Sequence, residues 1–240
     1  MMELSVVVPV YNEHDNIAPL VAEIKDALAG RCHYEIIYVD DGSDDGTLER
    51  LRTLKKDIQL LRILHHPSRC GQSTALRTGI RAARAPWIAT LDGDGQNDPA
   101  DIIFLTQMRD QANNPRLGLL TGWRRARQDG WVRRLSSRIA NSVRATALGD
   151  STPDTGCGLK LFRRDAYLEL PYFDHMHRFL PALVQRAGWN VVSVKVTHRP
   201  RIRGTSKYGI GNRLWVGIID LMGVMWLMRR SKIPQVNEVT

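Results

Sequence analysis

Between Leu4 and Pro99 the chain alternates, four times over, between short apolar runs and segments with helical spacing. Leu4–Val10 (LSVVVPV) is continuous, apolar and rich in β-branched residues, the pattern of a strand buried on both faces. His14–Ala29 then sets Ile17, Leu20, Val21, Ile24 and Leu28 on one helical face. Glu35–Val39, Leu60–Leu64 and Trp87–Leu91 read as further strands, and Gly46–Lys56 and Gly71–Arg84 as the helices between them. Asp98-Pro99 opens another helix, Asp as its cap and Pro at its first position. This succession predicts an α/β fold, a mostly parallel, doubly wound sheet flanked by helices. Ligands of such sheets bind outside the carboxyl ends of the strands. Three polar clusters stand at those ends, Tyr11-Asn12-Glu13, Asp40-Asp41 and Asp92–Asp94, and are expected to share one crevice. No G-x-G-x-x-G follows the first strand and no G-x-x-x-x-G-K-[ST] occurs, which disfavours a dehydrogenase or a P-loop ATPase.

The sharpest motif is Leu91-Asp92-Gly93-Asp94-Gly95-Gln96-Asn97-Asp98-Pro99. Residues i and i+2 of an extended segment project to one side, so Asp92 and Asp94 can reach a common site. The glycines would let the backbone approach a bulky phosphate ligand. Two carboxylates with positions left for substrate oxygens suit Mg²⁺ or Mn²⁺, which would act as a Lewis acid on a leaving diphosphate. A calcium loop does not fit, because the sixth and twelfth positions counted from Asp92 are Asn97 and Ile103 rather than Gly and Glu. Asp98 and Asp101 read as helix-capping residues instead. Asp40-Asp41-Gly42-Ser43, a plain turn when taken alone, becomes a candidate clasp for a nucleobase and ribose beside these clusters.

After residue 122 the alternation weakens, and charge changes sign. Residues 1–120 carry 13 Lys and Arg against 17 Asp and Glu, the remainder 21 against 8. An acidic half can hold a cation; a basic half suits phosphates or an anionic lipid surface. The basic stretches are Trp123–Arg138 and His198–Lys207, with helices expected up to Leu148 and over Arg178–Ala187 and a strand at Val191–Val196. The net charge of +9 also admits a non-catalytic module that binds nucleic acid. No nucleic-acid motif accompanies it, however, and an acidic crevice without a metal repels phosphates. Cys32, Cys70 and Cys157 lie far apart, as reduced thiols of a cytosolic compartment would, and no secretory leader is visible.

Several segments together resemble the inverting family-two glycosyltransferases of the GT-A fold. More narrowly, they are similar to dolichol-phosphate mannose synthases and related polyprenyl-phosphate glycosyltransferases. The matching segments are Val6–Glu13, Val39–Ser43, Asp92–Gln96, Gly122-Trp123-Arg124, Asp154–Lys160 and Arg201–Tyr208, in the family's order. The resemblance implies transfer of a hexose, mannose- or glucose-like, from a nucleotide-sugar to a polyprenyl (dolichyl or undecaprenyl) phosphate, on the cytoplasmic side of a membrane. It implies that Pro9, Tyr11, Glu13, Val39, Asp41 and Asp92 line the nucleotide-sugar pocket. Asp92, Asp94 and Gln96 would hold Mg²⁺ or Mn²⁺ and the donor diphosphate, with Asp94 and Gln96 acting in catalysis. Arg124, Arg201 and Lys207 would grip phosphates, which suits the forked donors of Arg and the compact cation of Lys. A phosphate acceptor is already anionic and needs no general base, whereas a sugar or protein hydroxyl does. Asp154 is the candidate base for that second reading.

Leu214–Met228 (LWVGIIDLMGVMWLM) is apolar nearly all round and flanked by Arg213, Arg229, Arg230 and Lys232. At ~1.5 Å per residue it spans roughly 22 Å, short of the ~30 Å hydrocarbon core. An interfacial helix, or one docking on a membrane-protein partner, fits this better than a spanning one. The expected organisation is a catalytic domain over 1–210 and a C-terminal apolar and basic helix and tail over 211–240.

Overall fold

The computed structural model describes residues 2–124, 144–150, 152–201 and 211–232. Its strands are β1 (Leu4–Val10), β2 (Tyr34–Asp41), β3 (Leu61–His66), β4 (Trp87–Thr90), β5 (Leu117–Arg124), β6 (Lys160–Arg163) and β7 (Asn190–Val196). They form one sheet in the order β3-β2-β1-β4-β6-β5-β7. β6 runs antiparallel to both its neighbours, and the other pairings are parallel. The helices are α1 (His14–Leu28), α2 (Thr47–Asp57), α3 (Gln72–Ala82), α4 (Ala100–Ala112), α5 (Arg164–Leu168), α6 (Leu180–Arg186) and α7 (Gly211–Arg229).

Both faces of the sheet are covered, and β1 shows why its sequence does not alternate. Val6, Val8 and Val10 pack with Ile17, Leu20 and Ile24 of α1 and Ile102 and Leu105 of α4. Val7 points the other way, to Ile37, Val39, Ala75 and Ile80, in a second core that also holds Leu183 and Val224. Every residue of β1 is buried, so apolar side chains are required on both sides. The chain leaves β1 for β2 on one side of it and later for β4 on the other. A crevice therefore opens at their carboxyl ends, where the winding reverses.

β5 and β6 lie outside the sequence expectation. In β5, Gly118 and Gly122 interrupt the apolar run and read as breakers. Each instead marks a close approach, since a Cβ there would stand 2.5 Å from Trp189 Cβ and 2.7 Å from Cys157 Sγ. β6 is only four residues long and charged at both ends, too short for a period to show.

The C-terminal helix buries one face and bares the other. Val224 is buried, with Leu221, Met225, Leu227 and Met228 packed partly beside it against the second core. Arg186 Nε of α6 donates to the Leu227 carbonyl at 2.8 Å, and His175 Nδ1 stands 3.2 Å from the Asp220 carboxylate. Ile218, Ile219, Met222 and Trp226 are exposed and fall within about 100° of arc on the free side. The helix is thus half docked, with large apolar side chains on the free side as well. No helix among the described residues is long and apolar enough to cross a membrane.

Helix α3 is seated through Gly79, where an added Cβ would stand 2.5 Å from Val7 Cγ1 and 3.0 Å from Val39 Cγ2. Gly79→Ala should therefore destabilise the protein by about 1–3 kcal/mol despite the better helix propensity of Ala. Urea unfolding measures it; an unchanged or raised midpoint would show slack at this contact.

Candidate active site

The loops after β1 and β2 are tied together. Asn12 adopts φ 55°, and its N–H donates to Ser43 Oγ at 2.8 Å. Its carboxamide exchanges hydrogen bonds with Asp44, Nδ2 to Oδ1 at 2.5 Å and Asp44 N–H to Oδ1 at 2.9 Å. The Glu13 N–H donates to Thr47 Oγ1 at 2.9 Å. Pro9 and Val39 are register partners at this edge, both buried. The Val39 side chain faces α3, so contact with a nucleotide would fall to its backbone. Tyr11 carries the Arg69 guanidinium over its ring at 4.4 Å. Asp41 accepts the N–H groups of Cys70 at 2.9 Å and Gly71 at 2.8 Å, drawing the loop before α3 against β2.

The acidic loop follows β4. Asp92 stands so close to Gly158 that a Cβ there would meet its Oδ2 at 2.2 Å, and Gln72 Nε2 donates to Oδ1 at 3.0 Å. Protein crowded around the Asp92 carboxyl, with Asp94 adding to it, pushes its pKa up to about 6, against the pull of Lys160 and Arg124. Asp94 Oδ1 accepts the Gln96 N–H at 3.1 Å, while Oδ2 pairs with Arg201 Nη2 at 2.8 Å. Arg201 also lies 3.7 Å from Glu13 Oε1. Gln96 Nε2 reaches the Arg199 carbonyl at 3.4 Å. Packing requires Gly93 and the backbone requires Gly95. A Cβ on Gly93 would meet Val10 Cγ1 at 2.5 Å, and Gly95 has φ +72°. Asp98 Oδ1 accepts the Ala100 N–H at 3.0 Å at the start of α4, as a capping residue would.

The second half of the chain closes on this loop. Asn97 and His198 form an antiparallel bridge, and the Arg199 N–H donates to the Gln96 carbonyl at 2.9 Å. Arg199 joins Glu23 and Asp98, both at 2.6 Å, and the Thr197 N–H donates to Asp101 Oδ2 at 2.6 Å. Arg124 and Asp154 bind each other in a forked pair, Nε to Oδ2 at 2.7 Å and Nη2 to Oδ1 at 2.9 Å. Lys160, the last residue of the Asp154–Lys160 match, was given no role in the sequence although it heads β6. It is buried, donates to the carbonyls of Thr155 and Cys157, and its pKa is lowered by burial. A lysine within the otherwise apolar Gly158–Phe162 was the available signal. Lys207 lies outside the described residues.

Residues 5–170 match the model of the glycosyl transferase family 2. The chain belongs to glycosyl transferase family 2. Among curated relatives it is 39% identical to the dodecaprenyl-phosphate galacturonate synthase of Rhizobium johnstonii, over 97% of this chain and 69% of that one. The undecaprenyl-phosphate 4-deoxy-4-formamido-L-arabinose transferase of Edwardsiella ictaluri is 33% identical, over 86% of this chain and 63% of its own length. Two solved structures share the fold at about one-fifth identity. The glucosyl-3-phosphoglycerate synthase of Mycobacterium tuberculosis, solved with Mg²⁺ and UDP, gives a TM-score of 0.69 at 20% identity, covering 98% of this chain and 81% of that one. A mannosyltransferase from Pyrobaculum calidifontis, solved with GDP-Man and Mn²⁺, gives 0.66 at 21%, covering 97% and 66%. The fold of this family-two glycosyltransferase is accordingly the GT-A fold.

The acidic loop fits a divalent cation on its own terms. Two carboxylates lie close enough that Asp94 raises the pKa of Asp92, and the Arg201 guanidinium stands as a cation on Asp94. A hard dication held by Asp92, Asp94 and Gln96 would offset that repulsion.

The direction of the Asp92 shift gives a pH test. A carboxyl held above its ordinary ~4 binds its proton more tightly in the folded chain than in the unfolded one. Stability from this proton is present at low pH and lost as pH rises toward about 6. Relative to Asp92→Asn, metal-free wild type should lose roughly 2–3 kcal/mol between pH 4 and 6. Mn²⁺ added above pH 6 should restore stability to wild type alone. Parallel unfolding curves at all pH values would remove Asp92 from the carboxylate pair.

Proposed function

We propose that this enzyme moves a glycosyl group from a nucleotide-sugar to a polyprenyl phosphate with inversion, using Mg²⁺ or Mn²⁺. The observation that carries the acceptor is the Arg124–Asp154 pair. A hydroxyl acceptor needs a base, and Asp154 is held at both oxygens by the Arg124 guanidinium, as an anchor for that cation would be. A phosphate needs no such base. The names of the curated relatives, which specify dodecaprenyl and undecaprenyl phosphates, favour the same acceptor class.

In this reading Pro9, Tyr11, Glu13, Val39 and Asp41 form the nucleotide end, at the edge of β1 and β2. Asp92, Asp94 and Gln96 hold the metal, which supplies Lewis-acid stabilisation of the departing diphosphate. Arg201, paired with Asp94, receives phosphate oxygens together with Lys207 when substrates enter. Arg124 positions Asp154 and the β5 end, and adds its charge to the same edge. Residues 1–210 form the catalytic unit and 211–240 the attachment. The bare Ile218, Ile219, Met222 and Trp226 of α7, with Arg229 and Arg230 at its end, are suited to a membrane surface or a membrane-protein partner on the cytoplasmic side. The relatives named for galacturonate and formamido-arabinose widen the sugar choice beyond mannose and glucose.

Transfer to a short polyprenyl phosphate, with the corresponding polyprenol beside it, tests the proposal across UDP-glucose, UDP-galactose, UDP-galacturonate and GDP-mannose. The phosphate alone should accept. Asp94→Asn, or excess chelator, should cut the rate by about 10²-fold or more while the fold survives; full activity of either would sink the metal role. Asp154→Asn should lower stability by about 1–3 kcal/mol through loss of the charge-assisted pair. Its rate per folded molecule should fall only modestly, with the pH profile unchanged in shape. A loss of about 10²-fold or more, together with transfer to polyprenol, would establish Asp154 as a base instead.

A further inference from the structure

Asp41 has neighbours that neither nucleotide binding nor the acidic loop requires. Its Oδ1 lies 2.8 Å from His66 Nδ1, at the end of β3. Cys70, two residues before α3, brings its thiol to the same place. One ligand atom each from Asp41, His66 and Cys70 lies within 4.8 Å of the other two. Three unlike donors, a carboxylate, an imidazole and a thiol, thus converge from three different elements.

From this convergence we infer that Asp41, His66 and Cys70 form a second metal site, for a borderline-soft dication of the zinc class. It is distinct in chemistry from the oxygen-rich loop at Asp92–Gln96. Thiolate and imidazole favour zinc over Mg²⁺ or Mn²⁺, which prefer oxygen. The surroundings are arranged for ligation. Cys70 and Gly71 donate their N–H groups to the two oxygens of Asp41, which fixes the carboxylate. In the metal-free chain the contact with Asp41 calls for the His66 proton on Nδ1; on zinc binding it moves to Nε2, 3.0 Å from Thr78 Oγ1, which frees the Nδ1 lone pair for the metal. Asp41 is buried, His66 partly buried and Cys70 exposed, so an ion can enter from the Cys70 side. Zinc bonds of about 2.0–2.3 Å place tetrahedral ligands roughly 3.3–3.7 Å apart, so the Asp41–His66 contact opens by under 1 Å and the thiol moves in. Zinc takes the thiolate, the thiol proton passes to solvent, and the fourth position is left to water. Three protein ligands with an open position make a site that fills and empties with the zinc supply.

Asp41 is shared. On the reading of the nucleotide pocket given above, zinc at this site and the donor nucleotide exclude one another, and zinc becomes a donor-competitive inhibitor.

Cobalt(II) is the probe, since a thiolate–cobalt bond produces a charge-transfer band in the near ultraviolet. The reduced, metal-free full chain is titrated with Co²⁺ under excess Mg²⁺, which occupies the oxygen loop. The band should grow to one equivalent, bleach on addition of Zn²⁺, and be absent from Cys70→Ser. His66→Ala should weaken binding by about tenfold or more. No band in wild type, or a band retained in Cys70→Ser, overturns the site. UDP or GDP with Mg²⁺ should displace cobalt, and Zn²⁺ should raise the donor KM of wild type while sparing Cys70→Ser. A band that neither nucleotide disturbs overturns the shared carboxylate. Failure of transferase activity altogether would leave the cobalt result standing and fall on the proposed function instead.

Discussion

Burial of β1 on both faces is the constraint from which the remaining structure follows. A central parallel strand has no solvent side, so Val6, Val8 and Val10 demand α1 and α4 above while Val7 demands α3 below. The fit is tight where α3 meets the sheet, since Gly79 leaves no room between Val7 and Val39. Because β2 and β4 flank this strand on opposite sides, the polypeptide must part at its carboxyl end. The acidic clusters gather there, where the loops emerge beside the topological break. The site is located by packing before any of its chemistry is chosen.

The chemistry itself is an opposition of charge across the two halves of the chain. The acidic loop after β4 does not stand alone. Residues 197–201 return to it through backbone pairing and through Arg199 and Arg201. Arg201 sets a cation on Asp94, at the loop proposed to hold the metal. Lys160 and Arg124 perform a similar office toward Asp92, from β6 and β5.

Much of this was legible in the sequence, and the boundary is physical. β1 to β4 and the helices between them were readable because each buried strand and one-faced helix carries its own apolar period, so local pattern and tertiary role agree. The Asp92–Asp94 and Asp40-Asp41 clusters were readable because a polar group at a buried strand's end has few structural purposes. β5 and β6 were not. Gly118 and Gly122 are dictated by Trp189 and Cys157, which are distant in sequence, and β6 is too short for periodicity. The Arg124–Asp154 pair was equally hidden. Each residue carried a role of its own in the sequence, and their pairing could not be read from either. The half-docked state of α7 depends likewise on α6, which its own composition does not encode.

The reversed strand β6 has a consequence for how the molecule comes into being. It pairs Lys160–Arg163 with Trp87–Thr90, so the sheet's middle joins segments separated by some seventy residues. β1 to β4 are complete within the first ninety residues, whereas β4 gains its second neighbour only after another seventy. During synthesis the first half can complete its own winding while the partners of Asp92 are still being added. For that interval the aspartates have neither Lys160 nor Arg201 beside them, and β4 has an open edge. The nascent enzyme is thus most vulnerable to edge-to-edge association just before it acquires its activity.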